Sequence, residues 1–373
     1  MKLTGIQVVD LSTFLPGPYL SMIMADHGAD VIKVEAPGEG DPGRSIGLKD
    51  GPHTVFFRNL NRGKKSVQLD LKSDEGRQAL LALLSSADVF LESFRPGVMK
   101  RLGIDYDTVR VTNPGIVYCS ISAFGQDGPY AQHPAHDLAV EALSGALTLG
   151  VDEKHHPTIP GIAVADIATA YNGLSGVLMA LLRRTQTGKG DRIDISMHES
   201  MLAVMPNVMG PAFAENRQPD PKAERSTGGS AFYNIYETSD GRHIVLGGQE
   251  TKFVRAVLAK LGKLELAELC ERGPGLHQQP LIEFLRDTFK TKTQDQWVIW
   301  FSGVDACFSP VKTMPESLVD AQIVHRGFVL SDGKGRPYLG APIRFLDEPA
   351  QIDLRTPALG EHQHLVNAVD GTI

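Results

Sequence analysis

The first 120 residues alternate short β-branched and apolar runs with stretches of helical periodicity, and this constrains the fold more than any other feature. Apolar runs over 6–11, 30–35, 66–71, 87–91 and 116–122 read as strands. Helical patterns lie between them over 18–27, 75–85 and 98–102. Strands that alternate with helices bury both faces only as a parallel sheet with helices on either side, so a Rossmann-like α/β domain is expected. The longest helical pattern runs over 167–185, with Leu174, Val177, Leu178, Leu181 and Leu182 on one stripe. Thr187-Gly188-Lys189-Gly190 ends it, and a strand follows over 192–196.

A chain of 373 residues exceeds what one compact core usually holds. The expected division is a large Rossmann-like domain over 1–213, a linker over 214–230 rich in Pro, Asp, Lys, Arg and Gly, and a smaller α+β domain over 231–325. In the smaller domain, strands over 232–237 and 243–247 form a hairpin through Ser239-Asp240-Gly241. The segment 326–373, with Pro337, Pro342 and Pro349, is expected to return to the large domain.

The 37 Lys and Arg against 44 Asp and Glu give a net charge of −7, the wrong sign for a general nucleic-acid binder. A polyanionic ligand therefore needs a local basic patch. Cys119, Cys270 and Cys307 are too few and too far apart for a disulfide framework. The N-terminus is too polar for a signal peptide, and no apolar run of membrane-spanning length is evident, so a cytoplasmic protein without membrane or nucleic-acid partners is expected.

Gly38-Glu39-Gly40-Asp41-Pro42-Gly43 matches the G-x-G-x-x-G string after a strand. Glu39 and Asp41 would place carboxylates beside a pyrophosphate, Pro42 removes a backbone donor, and no acidic residue stands about twenty positions on. The densest basic cluster is Arg58, Arg62, Lys64 and Lys65, either a phosphate-binding patch or a solvated loop face. Lys72, Arg95, Lys100 and Arg101 fall near expected strand ends, where open α/β sheets receive ligands. His155-His156 and His362-x-His364 lack the spacing of a zinc site, so no metal is expected.

His136 and Asp166 are ionisable residues in apolar or small-residue surroundings. Taken singly, Asp166 reads as an N-cap of the long helix, His136 as a loop residue before Asp137, which itself reads as a cap, and Glu250 as a carboxylate favouring the dipole of the next helix. Met197, Met201, Met205 and Met209 recur every four residues, as core or as a flexible acyl wall on one helix face.

Several stretches together outweigh these single readings. Asp10-Leu11-Ser12 with Leu15-Pro16-Gly17-Pro18, Gly28-Ala29-Asp30-Val31-Ile32-Lys33-Val34-Glu35, Asp70-Leu71-Lys72-Ser73, Glu92-Ser93-Phe94-Arg95-Pro96-Gly97-Val98 and Phe124-Gly125-Gln126-Asp127-Gly128-Pro129 resemble the class III CoA-transferase family, which includes the α-methylacyl-CoA racemases. The resemblance continues through Gly188-Lys189-Gly190, Gly228-Gly229, Tyr236, Asp240-Gly241 and Asp305-Ala306-Cys307. It implies a Rossmann-like large domain, a smaller domain, an interlocked homodimer and an acyl-CoA thioester as substrate, with no cofactor required. Asp166 falls on the family's catalytic aspartate, His136 on the histidine that marks the racemases, and Glu250 on the carboxylate that supports the racemase site. Lys72, Arg101 and Asp137 match CoA-contacting positions, and Ser93, Phe94 and Arg95 lie in the motif beside them. Ala36-Pro37 stands where many relatives carry Arg-Pro, which leaves Arg58 or Arg62 as substitutes, and Glu141-Ala142-Leu143-Ser144-Gly145 is similar to the transferase side.

Two chemistries follow from the resemblance. In a racemase, His136 and Asp166 work on opposite faces of the carbon next to the thioester, Glu250 steadies His136, and backbone N–H groups at the start of the helix after Asp166 receive the enolate oxygen. In a CoA-transferase, Asp166 attacks the thioester and carries CoA as an aspartyl thioester. A CoA-binding scaffold without turnover and a nicotinamide dehydrogenase are the further alternatives.

Overall fold

A computed structural model describes residues 1–152 and 154–367. Six strands form one parallel sheet: β1 (Gln7–Asp10), β2 (Asp30–Glu35), β3 (Lys65–Gln68), β4 (Val89–Glu92), β5 (Val117–Ser122) and β6 (Asp191–Ser196). Their order across the sheet is β3-β2-β1-β4-β5-β6, and each neighbouring pair is parallel. This is the doubly wound order, in which the chain leaves β1 toward one edge and later resumes at β4 toward the other.

Alternation along the strands explains the two layers. Val8, Val31, Val89, Leu91, Val117, Cys119 and Ile121 face one apolar cluster, which Leu20, Ala170, Leu174, Val177 and Leu181 complete from helices. Val9, Ile32, Val34, Val67, Phe90 and Tyr118 face the other, closed by Leu80 and Leu84. Central strands buried on both faces need continuous apolar runs, and β4 is buried throughout. The edge strand β6 instead exposes Asp191, Arg192 and Asp194, charges that discourage further strand pairing. The opposite edge is covered by the chain's own later segment. Gln363 bonds both backbone groups of Gln68 at 2.9 Å, and the N–H of His362 donates to the carbonyl of Ser66 at 2.8 Å.

The helices that matter for the site are α1 (Pro16–Asp26), α2 (Asp137–Leu143), α3 (Val164–Thr187) and α4 (Met197–Ala203). Gly188 ends α3 in the left-handed conformation, as the Thr-Gly-Lys-Gly stop implies. One sequence expectation needs correction here. By length and composition α3 is apolar enough to cross a membrane, because its Ala, Gly, Thr and Leu residues dilute few charges. Its buried stripe packs on the parallel sheet.

The chain divides into two compact units. The first comprises Met1–Ser144, Ile162–Val204 and the chain from Ala321 on; the second comprises Gly145–Gly161 and Met205–Asp320. The segment 205–230 thus belongs to the second unit, and the short stretch between α2 and α3 is counted with it too. In the second unit β7 (Tyr233–Glu237), β8 (His243–Gly247) and β9 (Phe308–Pro310) form an antiparallel sheet in the order β9-β8-β7. Helices Thr251–Lys260, Gln279–Phe289 and Gln294–Phe301 cover it through Val257, Leu285 and Trp297.

The methionine stripe does not survive folding. α4 ends at Ala203, so Met197 and Met201 are helical core residues of the first unit, whereas Met205 and Met209 lie beyond the helix in the second.

Candidate active site

The site grows from the carboxyl ends of β1 and β4, neighbours where the strand order reverses and where such sheets bind ligands. Asp10 closes β1 in full burial. Its carboxylate accepts the Ser12 N–H at 2.9 Å, the Ser21 hydroxyl at 2.6 Å and the Lys64 ammonium at 3.1 Å. Lys33, equally buried, donates to the Ser12 carbonyl at 2.9 Å and pairs with Asp41 at 2.7 Å. Burial alone would raise the Asp10 carboxyl, but Lys64, Lys33 and the two serine hydroxyls pull it far below the carboxylate range. The same burial lowers Lys64 to about 8.

This network pins the loop after β1 in a shape the chain does not adopt freely. Phe14 sits at φ 64°, a left-handed conformation that is costly for a bulky side chain and is held only where the surroundings dictate it. The Thr13 N–H donates to Ser93 Oγ at 3.1 Å, and the Phe94 N–H donates to the Glu92 carboxylate at 2.8 Å, so the loops after β1 and β4 are tied together. Burial pushes Glu92 up to about 7 despite its bonds to Ser120 and Phe94. The Phe14 ring then meets the His136 imidazole edge to face, with centroids 5.4 Å apart.

His136 occupies the N-cap position of α2, but its side chain makes no capping bond and is exposed. Asp137 is the first residue of α2 rather than its cap. Asp166 is likewise not the N-cap of α3: the cap is Ala163, and Asp166 is the third helical residue, half-buried. The free N–H groups at the start of α3 are taken by side chains of α2. Asp137 accepts the Asp166 N–H at 3.0 Å, and Glu141 accepts the Val164 N–H at 3.1 Å and also serves Ala165. The expected oxyanion donors at this helix start are therefore already engaged, and α3 begins three residues earlier than its periodicity suggests because its caps come from another helix.

The electrostatic result is a carboxyl ready to hold a proton. Desolvation, then the negative charges of Asp137 and Glu141, raise Asp166 to about 7. Glu141, 2% exposed, is raised as well, first by burial.

The basic cluster resolves differently from the phosphate-binding alternative. Arg62 is buried and grips Asp26 with two bonds of 3.0 and 2.6 Å, Arg58 is buried against Asp50 at 2.6 Å, and Lys64 belongs to Asp10. These side chains hold the fold, and neither Arg58 nor Arg62 is available to replace the arginine missing at Ala36. Lys65 is half-buried and paired with Asp30. Lys72, Arg95 and Arg101 are exposed, and among the described residues none of them forms an ion pair. Ser93 and Phe94 are half-buried between them and the β1 loop. The Gly38 to Gly43 string is no dinucleotide cradle, since Asp41 in its middle is buried on Lys33 and only a three-residue 3-10 turn, Pro42–Arg44, follows.

Glu250 lies in the second unit, exposed at the N-cap position of helix Thr251–Lys260, where its side chain makes no capping bond. The buried partners that sequence reasoning missed are Asp10, Lys33, Asp41, Glu92 and Glu141. The local signal for burial of Lys33 and Lys64 is a lysine inside or beside an apolar strand, and Lys33 also stands in the Gly28–Glu35 stretch that resembles the family.

A model of "CoA-transferase family III" matches residues 3–363. Human alpha-methylacyl-CoA racemase is 34% identical over 97% of this chain and 91% of its own. Succinate–glutarate CoA-transferase of Agrobacterium fabrum is 31% identical over 100% of this chain and 96% of its own. A CAIB/BAIF family protein from Brucella suis, solved by crystallography, superposes with a TM-score of 0.84 at 30% identity, covering 98% of each chain.

Proposed function

This chain belongs to CoA-transferase family III, and from that premise we propose that it is a racemase of 2-methylacyl-CoA thioesters working by two-base transfer of the α-proton. The observation that carries this reading is that an exposed His136 and an Asp166 raised to about 7 stand at the starts of two helices joined by the bond from the Asp166 N–H to Asp137. A two-base racemase must run in both directions, so each group has to give up and take back the same proton. An ordinary aspartate, near 3.9, holds a proton far too weakly to match an imidazole, ordinarily near 6.5. Burial and two flanking carboxyl groups bring Asp166 into that range.

In this mechanism the thioester makes the α-hydrogen acidic and no resident cofactor is required. His136 removes the proton from one face while Asp166 delivers one to the other, and the roles reverse for the opposite enantiomer. Lys72, Arg95 and Arg101, exposed and unpaired, supply the positive charge for the CoA phosphates, with Ser93, Phe94 and Asp137 beside them. Two chains assemble as the interlocked homodimer of the family resemblance, measurable by light scattering. The test is incubation of (R)- and (S)-2-methylacyl-CoA in D2O. Deuterium at the α-carbon with interconversion supports the reading, and its absence with both enantiomers defeats it.

A second reading is favoured by the relatives named as CoA-transferases, whose identity to this chain is close to that of the racemase. There Asp166 attacks the thioester carbonyl, forming a mixed anhydride as CoA thiolate leaves; the thiolate then attacks the aspartyl carbonyl, the first acid departs as its carboxylate, and the aspartyl-CoA thioester passes CoA to a second acid. Hydroxylamine trapping followed by mass spectrometry finds a modified Asp166 only under this mechanism.

A further inference from the structure

Phe14 stands in a conformation that its residue type avoids. Among the described residues the non-glycine positions at positive φ are Phe14, at 64°, His155 and Asn216. Asparagine and histidine enter the left-handed region comparatively often, whereas a bulky aromatic there is an outlier that its surroundings must enforce. The enforcing contacts lie under the loop after β1. The Ser12 N–H donates to Asp10 at 2.9 Å, and the Ser12 carbonyl accepts from Lys33 at 2.9 Å. The Thr13 N–H donates to Ser93 Oγ at 3.1 Å, and the Phe14 N–H donates to Asp41 Oδ1 at 3.4 Å. Asp41 is itself fixed by the buried Lys33 ammonium and by the Gly43 N–H, each at 2.7 Å. Gly17 lets the loop close onto the first turn of α1, since a Cβ there would fall on the Ser12 side chain.

Burial of the ring does not account for this strain. Phe14 is 37% exposed and belongs to neither apolar cluster of the parallel sheet. What its conformation does is set the ring against His136, edge to face. The planes stand at 77° and the centroids 5.4 Å apart, inside the range of about 4.5–7 Å that aromatic pairs favour. The exposed imidazole makes no capping bond, and among the described residues it forms no ion pair, so the Phe14 ring is the directional contact on it. We infer that Phe14 is a positioning residue for His136: the buried charges under the β1 loop hold it in a strained conformation, and its ring sets the direction of the imidazole. A base that serves one face of a carbon works from a narrow range of angles, and a displacement of about 1 Å costs about a hundredfold in rate. The consequence for turnover rests on the reading of His136 as one of two bases, but the contact itself does not.

The test separates the ring from the backbone that carries it. Phe14→Leu keeps an apolar side chain and removes the ring; its kcat for acyl-CoA is expected to fall about tenfold to a hundredfold with KM little changed, and Phe14→Tyr is expected to recover most of the rate. Deuterium incorporation into (R)- and (S)-2-methylacyl-CoA supplies a readout that a merely structural role does not move. Each enantiomer presents its α-hydrogen to one base, so Phe14→Leu should slow one enantiomer more than the other, and the same one that His136→Gln slows more. An equal fall for both enantiomers, or a larger fall for the one more sensitive to Asp166→Asn, overturns the role. The strain has its own arm: Phe14→Gly should melt above Phe14→Ala, because glycine adopts this φ freely, and the reverse order would show that the position is not strained. Without turnover, NMR of protein labelled at histidine follows the His136 ring signals, identified by their loss in His136→Gln. They should move in Phe14→Leu as the ring current disappears, and signals that stay in place overturn the contact. If they move and the wild type exchanges no α-proton, the racemase reading fails and the positioning of His136 by Phe14 stands.

Discussion

The carboxylate of Asp137 accepts the backbone N–H of Asp166 across 3.0 Å, so the residue next to His136 in sequence is bonded to the aspartate 29 positions further on. This one bond ties the two proposed bases to adjoining helix starts. It also places a negative charge beside Asp166, which, after burial, helps raise its carboxyl to about 7.

Removing either base is expected to stop exchange without unfolding the chain. Asp166→Asn and His136→Gln should each slow deuterium incorporation by about 10²–10⁴-fold, the usual contribution of a positioned acid or base. CoA affinity, followed by calorimetry, should change little, since neither residue belongs to the basic set Lys72, Arg95 and Arg101.

Stability should report the same carboxyl through pH. The folded pKa of Asp166, about 7, lies above its ordinary 3.8, so the folded state binds this proton more tightly than the unfolded chain. The resulting stabilisation is fully present below 3.8 and is lost as pH rises to about 7. Asp166→Asn, which is neutral throughout, should therefore melt higher than wild type at pH 8 and show no such gain at pH 4. Equal differences at both pH values, measured by calorimetry, would contradict the raised carboxyl.

The buried network beneath the β1 loop should be intolerant of a missing partner. Asp10→Asn leaves Lys64 and Lys33 facing a neutral amide in full burial, and the loss of one member of a buried ion pair typically costs about 3–5 kcal/mol. Denaturant unfolding should register it. The loop carrying Phe14 is held through Ser12, so α-proton exchange should decline in the fraction that remains folded.

Arginines of equal charge should separate into two behaviours. Arg62→Met breaks the two-bond grip on buried Asp26, so its effect should appear in melting temperature and hardly in KM. Arg101→Ala and Lys72→Ala, exposed and unpaired, should raise KM for acyl-CoA with a strong salt dependence and leave melting unchanged within about 0.5 kcal/mol. A phosphate role for Arg62 would reverse that pattern.

The sequence by itself determined the α/β alternation, the glycine stop at Gly188 and the hairpin turn at Gly241, because these depend on periodicity and on local backbone preference, and its family motifs single out His136 and Asp166. It misread Asp166 and Asp137 as local caps, since the true partner of each is on another helix. It left the basic cluster between two readings, because charge density along a chain does not reveal which side chains are buried. Only the tertiary structure decided that Arg58, Arg62 and Lys64 serve internal carboxylates, that the first N–H groups of α3 are taken by α2, and that Asp166 holds its proton near neutrality. Those outcomes turn on which charges are brought within a few ångströms of each other and out of water, a property of the folded chain and not of spacing along it.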